Sequence, residues 1–398
     1  MIAFGRYLRL LREPGVGSSL LASVIGRLPI GIAAFSIVLF VQARSGSFAS
    51  AGIASACYVL GLGLLAPVAG RLIDRFGPRP VLIATAVGYP LALAALILLV
   101  SSAASALWTG ASALLAGALL PPVTICTRAL LPRLLRDAGQ LHTAYSVDSV
   151  LIEFMFVVGP LLVALFIAHG SPAGAVALAA FTGGAGAWIF LGAPAIRAWK
   201  VAAAPARRNL FGPLHDAKLR RLFTITFLYS TAFGLFEIAA TAFAIGIRMP
   251  AAAGALLAAA SIGSAFGALI YGSHDWHWPP QRQFVLALAL MALGMLPLTA
   301  VTNLYLFGAL CLIGCMPMAP VLAIQSVLTS HLAPPAMAAE SFTWGATCLL
   351  AGIGAGTTVG GLLVEAWSPA AAFVAAAAMT MTGAALAWRL LGDGSRNA

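Results

Sequence analysis

The sequence predicts an all-α integral membrane protein with twelve transmembrane helices arranged as two pseudo-symmetric six-helix bundles. Three observations carry that prediction: the composition, the length of the apolar runs and the placement of positive charge. Of 398 residues, 61% are hydrophobic and only 8% are charged, whereas about a quarter of a soluble domain is charged. Such a chain cannot coat a soluble core with polar surface, and it is far too apolar to be disordered. Its solvent is a bilayer.

A helix needs about 20 mostly apolar residues to cross the hydrocarbon core. Runs of that kind lie near 17–42, 48–69, 80–100, 106–128, 143–168, 173–195, 222–246, 251–272, 283–301, 304–328, 341–364 and 370–391. The first is longer than a signal-peptide core and precedes no small-residue cleavage site, so it reads as a span. The second and third flank a short basic loop. Pro29, Pro90, Pro121, Pro122, Pro160, Pro297, Pro317 and Pro320 fall inside runs, which membrane helices tolerate. Between the sixth and seventh runs, the long polar stretch 196–221 carries seven basic residues against Asp216. It reads as a cytoplasmic linker along the anionic inner leaflet, dividing the chain into bundles 1–195 and 222–398.

The second bundle repeats the first. VGPLLV at 158–163 returns as VGGLLV at 359–364, an offset of 201 residues, and GALLPPV at 117–123 returns as GCMPMAPV at 314–321. Parallel duplicated halves that hold substrate between them are one architecture of secondary transporters.

Orientation follows from the basic residues, because short cytoplasmic loops carry the excess. With six spans on each side of the linker, 19 of the 22 Lys and Arg residues fall on one side. Arg44 and Arg248 fall on the other, and Arg27 lies within a span. Both termini are therefore expected in the cytoplasm of a multi-pass protein of the bacterial inner membrane. The net charge of +11 is this bias and not a nucleic-acid surface. The five cysteines sit in spans without metal-ligand spacing, and the histidines are expected in loops. No enzyme constellation, phosphate-binding loop, cofactor or metal site is predicted.

Charge inside the bilayer costs about 2.5–3.5 kcal/mol per group on insertion scales and normally faces a cavity or a partner. Four residues qualify: Arg27, Asp148, Glu153 and Glu237. Arg27 and Glu153 lie about ten residues into their spans, roughly 15 Å at 1.5 Å per residue. Asp148 is nearer the cytoplasm, within reach of Arg128, Arg75 or Arg71. Glu237 has no basic neighbour in its own span and is a candidate proton-coupling site.

The loop after the second span reads GRLIDRFGPRP from Gly70 to Pro80. It resembles the signature loop of the major facilitator superfamily, G-x-x-x-D-R-x-G-R-[RK], at Gly70, Asp74, Arg75, Gly77 and Arg79, with Pro78 in place of a basic residue. The equivalent second-half stretch, GSHDWHWPPQR from Gly272, is degenerate. Gly159-Pro160 resembles part of the antiporter signature of drug-efflux members, although Met155, Val163 and Ala164 depart from it.

The resemblance implies a major facilitator fold, with Asp74 and Arg75 forming a cytoplasmic latch and Gly159-Pro160 a helix break. It places spans 1 and 5 side by side, so Arg27 either pairs with Glu153 or anchors an anionic substrate. It sets spans 1 and 7 about a central cavity, where Arg27 and Glu237 would face each other. The implied function is proton-coupled export of small amphipathic or hydrophobic compounds by a monomer surrounded by lipid. A narrow-substrate importer or a non-transporting sensor is the alternative. A sugar-type site would need more hydrogen-bonding groups than Gln325, the one amide well inside a span.

Overall fold

The computed structural model describes residues 4–46, 48–169, 171–201, 212–249 and 252–391. Of the linker stretch, 202–211 lies outside the described residues. Among the described residues the regular elements are all helical, and twelve stretches are long and apolar enough to span a membrane. Spans 1 to 6 are Val16–Ser45, Ser50–Phe76, Pro78–Ser101, Ala106–Leu134, Ala138–Ala168 and Pro172–Leu191. Spans 7 to 12 are Ala217–Ala244, Ala252–Ser273, Pro280–Thr299, Leu304–Leu332, Pro335–Ala366 and Pro369–Arg389. A short helix, Phe4–Arg12, precedes span 1.

Proline breaks some spans and not others. Span 1 divides into Val16–Arg27 and Pro29–Ser45, span 4 into Ala106–Ala118 and Val123–Leu134, and span 10 into Leu304–Gly314 and Met318–Leu332. Pro29, the Pro121-Pro122 pair and Pro317 sit at these joints, where a missing N–H and a ring clash interrupt the helical ladder. Span 5, in contrast, runs unbroken through Pro160 from Ala138 to Ala168. The break expected at Gly159-Pro160 is therefore corrected.

Gly159 serves close packing instead. A Cβ there would stand 2.5 Å from the Gly31 carbonyl carbon, which brings the backbones of spans 1 and 5 together. Spans 7 and 11 use the same device: a Cβ on Gly234 would lie 2.6 Å from the Thr357 nitrogen. Gly31 and Gly234 thus play the same packing role in spans 1 and 7 of the two halves.

The buried apolar residues reveal how the halves sit. One cluster, at the end that carries the basic loops, takes residues from both halves, including Leu10, Ile73, Leu130, Tyr145, Tyr271, Ile324 and Phe342. Toward the opposite end the core divides. Ile32, Tyr89, Leu96 and Val176 belong to a cluster built from spans 1 to 6, while Leu235, Met291, Phe307 and Phe373 belong to one built from spans 7 to 12. The halves are thus welded at the basic end and packed separately at the other.

Candidate functional site: seams and charges between the two halves

The weld has two seams. In the first, span 2 meets span 11. The Asp74 carboxylate, nearly buried, accepts the backbone N–H groups of Ala339 at 3.1 Å and Glu340 at 2.8 Å. These belong to the first turn of the helix Ala338–Ala366, whose N–H groups have no partner within the helix and whose dipole favours an anion. Arg71 donates to Glu340 Oε1 at 2.7 Å. Gly70 permits the approach, since a Cβ there would fall 2.5 Å from Thr343 Oγ1 and 2.9 Å from the Ala339 carbonyl oxygen. Gly77, at a φ of 82°, donates to the Ile73 carbonyl at 2.8 Å and turns the chain out of span 2.

Two residues of the signature loop do not join this latch. Arg75 is exposed and lies over the Phe76 ring at 5.0 Å, and Arg79 is exposed as well. Arg75 points away because the helix period turns it about 100° from Asp74, and Arg79 lies beyond the turn at Gly77, on the next helix. The latch cation is Arg71, one turn before Arg75, and its partner is Glu340. No local pattern around residue 340 marks this partner, which lies on another span far along the chain.

The second seam joins spans 5 and 8. Thr143 donates to the Gly272 carbonyl at 2.9 Å, and His142 Nδ1 lies 3.1 Å from the Tyr271 hydroxyl. The helix Phe4–Arg12 crosses this junction: Tyr7 donates to the Leu269 carbonyl and Arg6 pairs with Asp275. Burial pushes the Tyr7 hydroxyl up to about 12, while the Arg6 hydrogen bond holds the Asp275 carboxyl below its ordinary value. The stretch from Gly272 therefore carries a working contact despite its degenerate motif. His142 and His331 lie within helices, not in loops as expected.

Farther from the basic end the seams continue to mid-span. Thr347 donates to the Gly63 carbonyl at 2.9 Å, and Ser264 donates to Glu153 Oε1 at 2.8 Å. The Ser264 oxygen also accepts the Ala319 N–H at 2.9 Å, at the joint of span 10. Glu153 is thus bonded to span 8 and linked through Ser264 to span 10.

Arg27 does not pair with Glu153. It is fully buried and lies 2.6 Å from Asp148, whose other oxygen accepts from Arg128 Nε at 2.6 Å. The correction has a geometric cause. Helical side chains tilt toward the N-terminus, so Arg27 reaches past the Glu153 level to Asp148. Five residues of helix then turn Glu153 about 140° away, toward span 8. Nor does Arg27 face Glu237, since its guanidinium is engaged within its own half.

Glu237 is exposed on span 7. Gly234 turns toward span 11 and Phe236 packs on Phe373 of span 12, which leaves Glu237 on a sector facing neither. Among the described residues, the ion pairs are Arg6–Asp275, Arg27–Asp148, Arg71–Glu340 and Arg128–Asp148. Asp148 is therefore compensated twice over, while Glu153 and Glu237 have no cationic partner.

The Major Facilitator Superfamily profile matches residues 19–357. No curated protein matches the chain. Among solved structures, a bacterial homologue of the iron transporter ferroportin in an outward-facing state superposes with a TM-score of 0.81 at 14% identity, covering 95% of this chain and 99% of that one. The human organic anion transporter MFSD10 (TETRAN) gives 0.76 at 16% identity, covering 94% and 98%. The E. coli fucose:proton symporter FucP gives 0.70 at 12% identity, covering 94% and 98%. At these identities the likeness establishes the fold, and it agrees with twelve helices welded in two halves. The profile spans most of the sequence, and the chain belongs to the major facilitator superfamily, a family of membrane transporters.

Proposed function

We propose that the protein is a secondary active transporter that exports small amphipathic or hydrophobic compounds in exchange for protons, working by alternating access. In this reading it lies in the bacterial cytoplasmic membrane with the basic end and both termini in the cytoplasm. The bundles 1–195 and 222–398 rock about the substrate, and the linker 196–221 tethers them. The conformer described is then outward-facing: its shared core lies at the cytoplasmic end and its divided cores at the outer end. Gly70, Asp74 and Gly77, with Arg71 and Glu340, form the cytoplasmic gate.

The observation that carries the proton-coupled reading is the pair of membrane-embedded carboxylates, Glu153 and Glu237, without cationic partners among the described residues. Carboxylates so placed are stabilised by taking up a proton or a cationic ligand. Glu153 also links the halves. As a carboxylate it accepts a charge-assisted hydrogen bond from Ser264, stronger than the bond a neutral acid accepts. A proton arriving from outside weakens that link and releases the outward-facing form; its loss to the cytoplasm restores the link. Arg27, Asp148 and Arg128 form a structural ion cluster in this scheme, since removing one member of a buried pair costs about 3–5 kcal/mol.

A susceptibility and efflux panel in a pump-deficient bacterial host tests the function. Expression should lower accumulation of several amphipathic compounds, and a proton uncoupler should abolish that effect. Unchanged accumulation across the panel, or efflux that persists with the uncoupler, refutes the reading.

A further inference from the structure

The helix Phe4–Arg12 presents three faces. At about 100° per residue, Arg6, Tyr7 and Leu10 fall on one side, and all three are engaged. Leu10 is buried in the core shared by the halves, Tyr7 donates to the Leu269 carbonyl and Arg6 pairs with Asp275. A second face carries Leu8 and Leu11, which are 56% and 43% exposed. A third carries Arg9 and Arg12, also exposed. Among the described residues, neither of these arginines joins an ion pair. The acids that share a pocket with Arg9, Asp137 and Asp275, are already used: Asp275 holds Arg6, and Asp137 caps span 5 by accepting the Gln140 N–H at 2.7 Å.

The Tyr7 contact fixes the depth of this helix. Leu269 lies four residues before Ser273, where span 8 ends, which is about 6 Å inside the span at 1.5 Å per residue. That is the level of the boundary between headgroups and acyl chains, where a helix with leucines on one face and arginines on the next lies in the membrane plane. The two outward faces narrow the occupant. A soluble polyanion would use the arginines and leave the leucines in water. A zwitterionic lipid would cover the leucines without offsetting two cations, and a second copy of the chain would set arginine against arginine. An anionic phospholipid uses both faces.

We propose that the helix Phe4–Arg12 is a docking surface for anionic phospholipid, with acyl chains over Leu8 and Leu11 and the headgroup phosphate on Arg9 and Arg12. Its nine residues are too few to hold a helix alone in water, so bound lipid orders the segment. The ordered segment is also what bridges spans 5 and 8 through Tyr7 and Arg6. Lipid binding and closure of the basic end therefore reinforce each other. This surface depends neither on the substrate nor on the direction of transport.

The test is amide hydrogen exchange on the full chain in nanodiscs of phosphatidylcholine, alone or mixed with phosphatidylglycerol. Phosphatidylglycerol should slow exchange across residues 8–12 by about tenfold or more, since each arginine near an anionic surface is worth about fivefold. Arg9→Gln with Arg12→Gln, and Leu8→Ser with Leu11→Ser, should each lose most of that protection. All four side chains are exposed, so both double variants keep the fold. Equal exchange in the two bilayers, or a phosphatidylglycerol effect of full size in either double variant, overturns the proposal. Protection of the same size from heparin added to phosphatidylcholine nanodiscs overturns it as well, because the surface would then be a polyanion site. Spin-label distances between the basic ends of spans 5 and 8 read the coupling: phosphatidylglycerol should raise the closed population in the wild type and leave it unchanged in Arg9→Gln with Arg12→Gln. Distances that ignore the lipid while exchange responds to it overturn the coupling to closure.

Discussion

Where span 2 meets span 11, a nearly buried carboxylate grips the start of a long helix through two backbone N–H groups. At the same end of the molecule, where span 5 meets span 8, the charged contact is an exposed pair, Arg6 with Asp275, and the buried contact is a neutral hydroxyl, Thr143, on a carbonyl; the buried Glu153–Ser264 bond of this seam lies farther along, at mid-span. The two seams occupy related positions in the duplicated halves, yet one concentrates its energy in a few charge-assisted bonds and the other spreads it. The first therefore suits a switch that opens all at once. The second suits a hinge that stays loosely engaged, with the helix Phe4–Arg12 laid across it as a strap.

The largest expected effect comes from removing the buried carboxylate. Asp74→Ala deletes both charge-assisted bonds, each worth about 1.5–3 kcal/mol, and should lower the population closed at the basic end by about a hundredfold or more. Spin-label distances between spans 2 and 11 measure this. Gly70→Val comes next, because overpacking against Thr343 and the Ala339 carbonyl costs about 1–3 kcal/mol; the same distances should lengthen, and transport should fall in step. On the other seam, Thr143→Val keeps the shape but leaves the Gly272 carbonyl without its donor, a loss of about 1 kcal/mol. Distances between spans 5 and 8 should then shift modestly. Asp275→Asn should change the closed population least, within about fivefold.

That last effect carries a pH sign. Because Arg6 lowers the Asp275 carboxyl, the pair contributes above the ordinary aspartate range and stops contributing as pH falls through the lowered value. Wild type and Asp275→Asn should therefore differ near neutrality and converge in acid. If Asp275→Asn equalled Asp74→Ala, the contrast between the seams would be wrong.

The sequence made the twelve spans legible because hydropathy over some 20 residues depends on no long-range contact. Gly70, Asp74 and Gly77 were legible because their spacing records a local geometry, a close approach followed by a turn. Glu340 was not, because its partner Arg71 lies on a distant span and nothing around residue 340 marks it as a latch. The Arg27 pairing is not legible for a different reason: depth along the span points to Glu153, but side-chain tilt delivers the guanidinium to Asp148. Gly159-Pro160 shows that proline alone does not predict a break, since span 1 divides just before Pro29 and span 5 runs on through Pro160. The helix Phe4–Arg12 was visible only as three arginines on the positive side.

Substrate-driven proton flux in proteoliposomes tests the central claim most directly, comparing the wild type with the double variant Glu153→Gln, Glu237→Gln. The account predicts that an outward gradient of an amphipathic amine drives protons inward through the wild type and that the double variant, correctly folded, moves none. Proton flux of wild-type size in the double variant would contradict it.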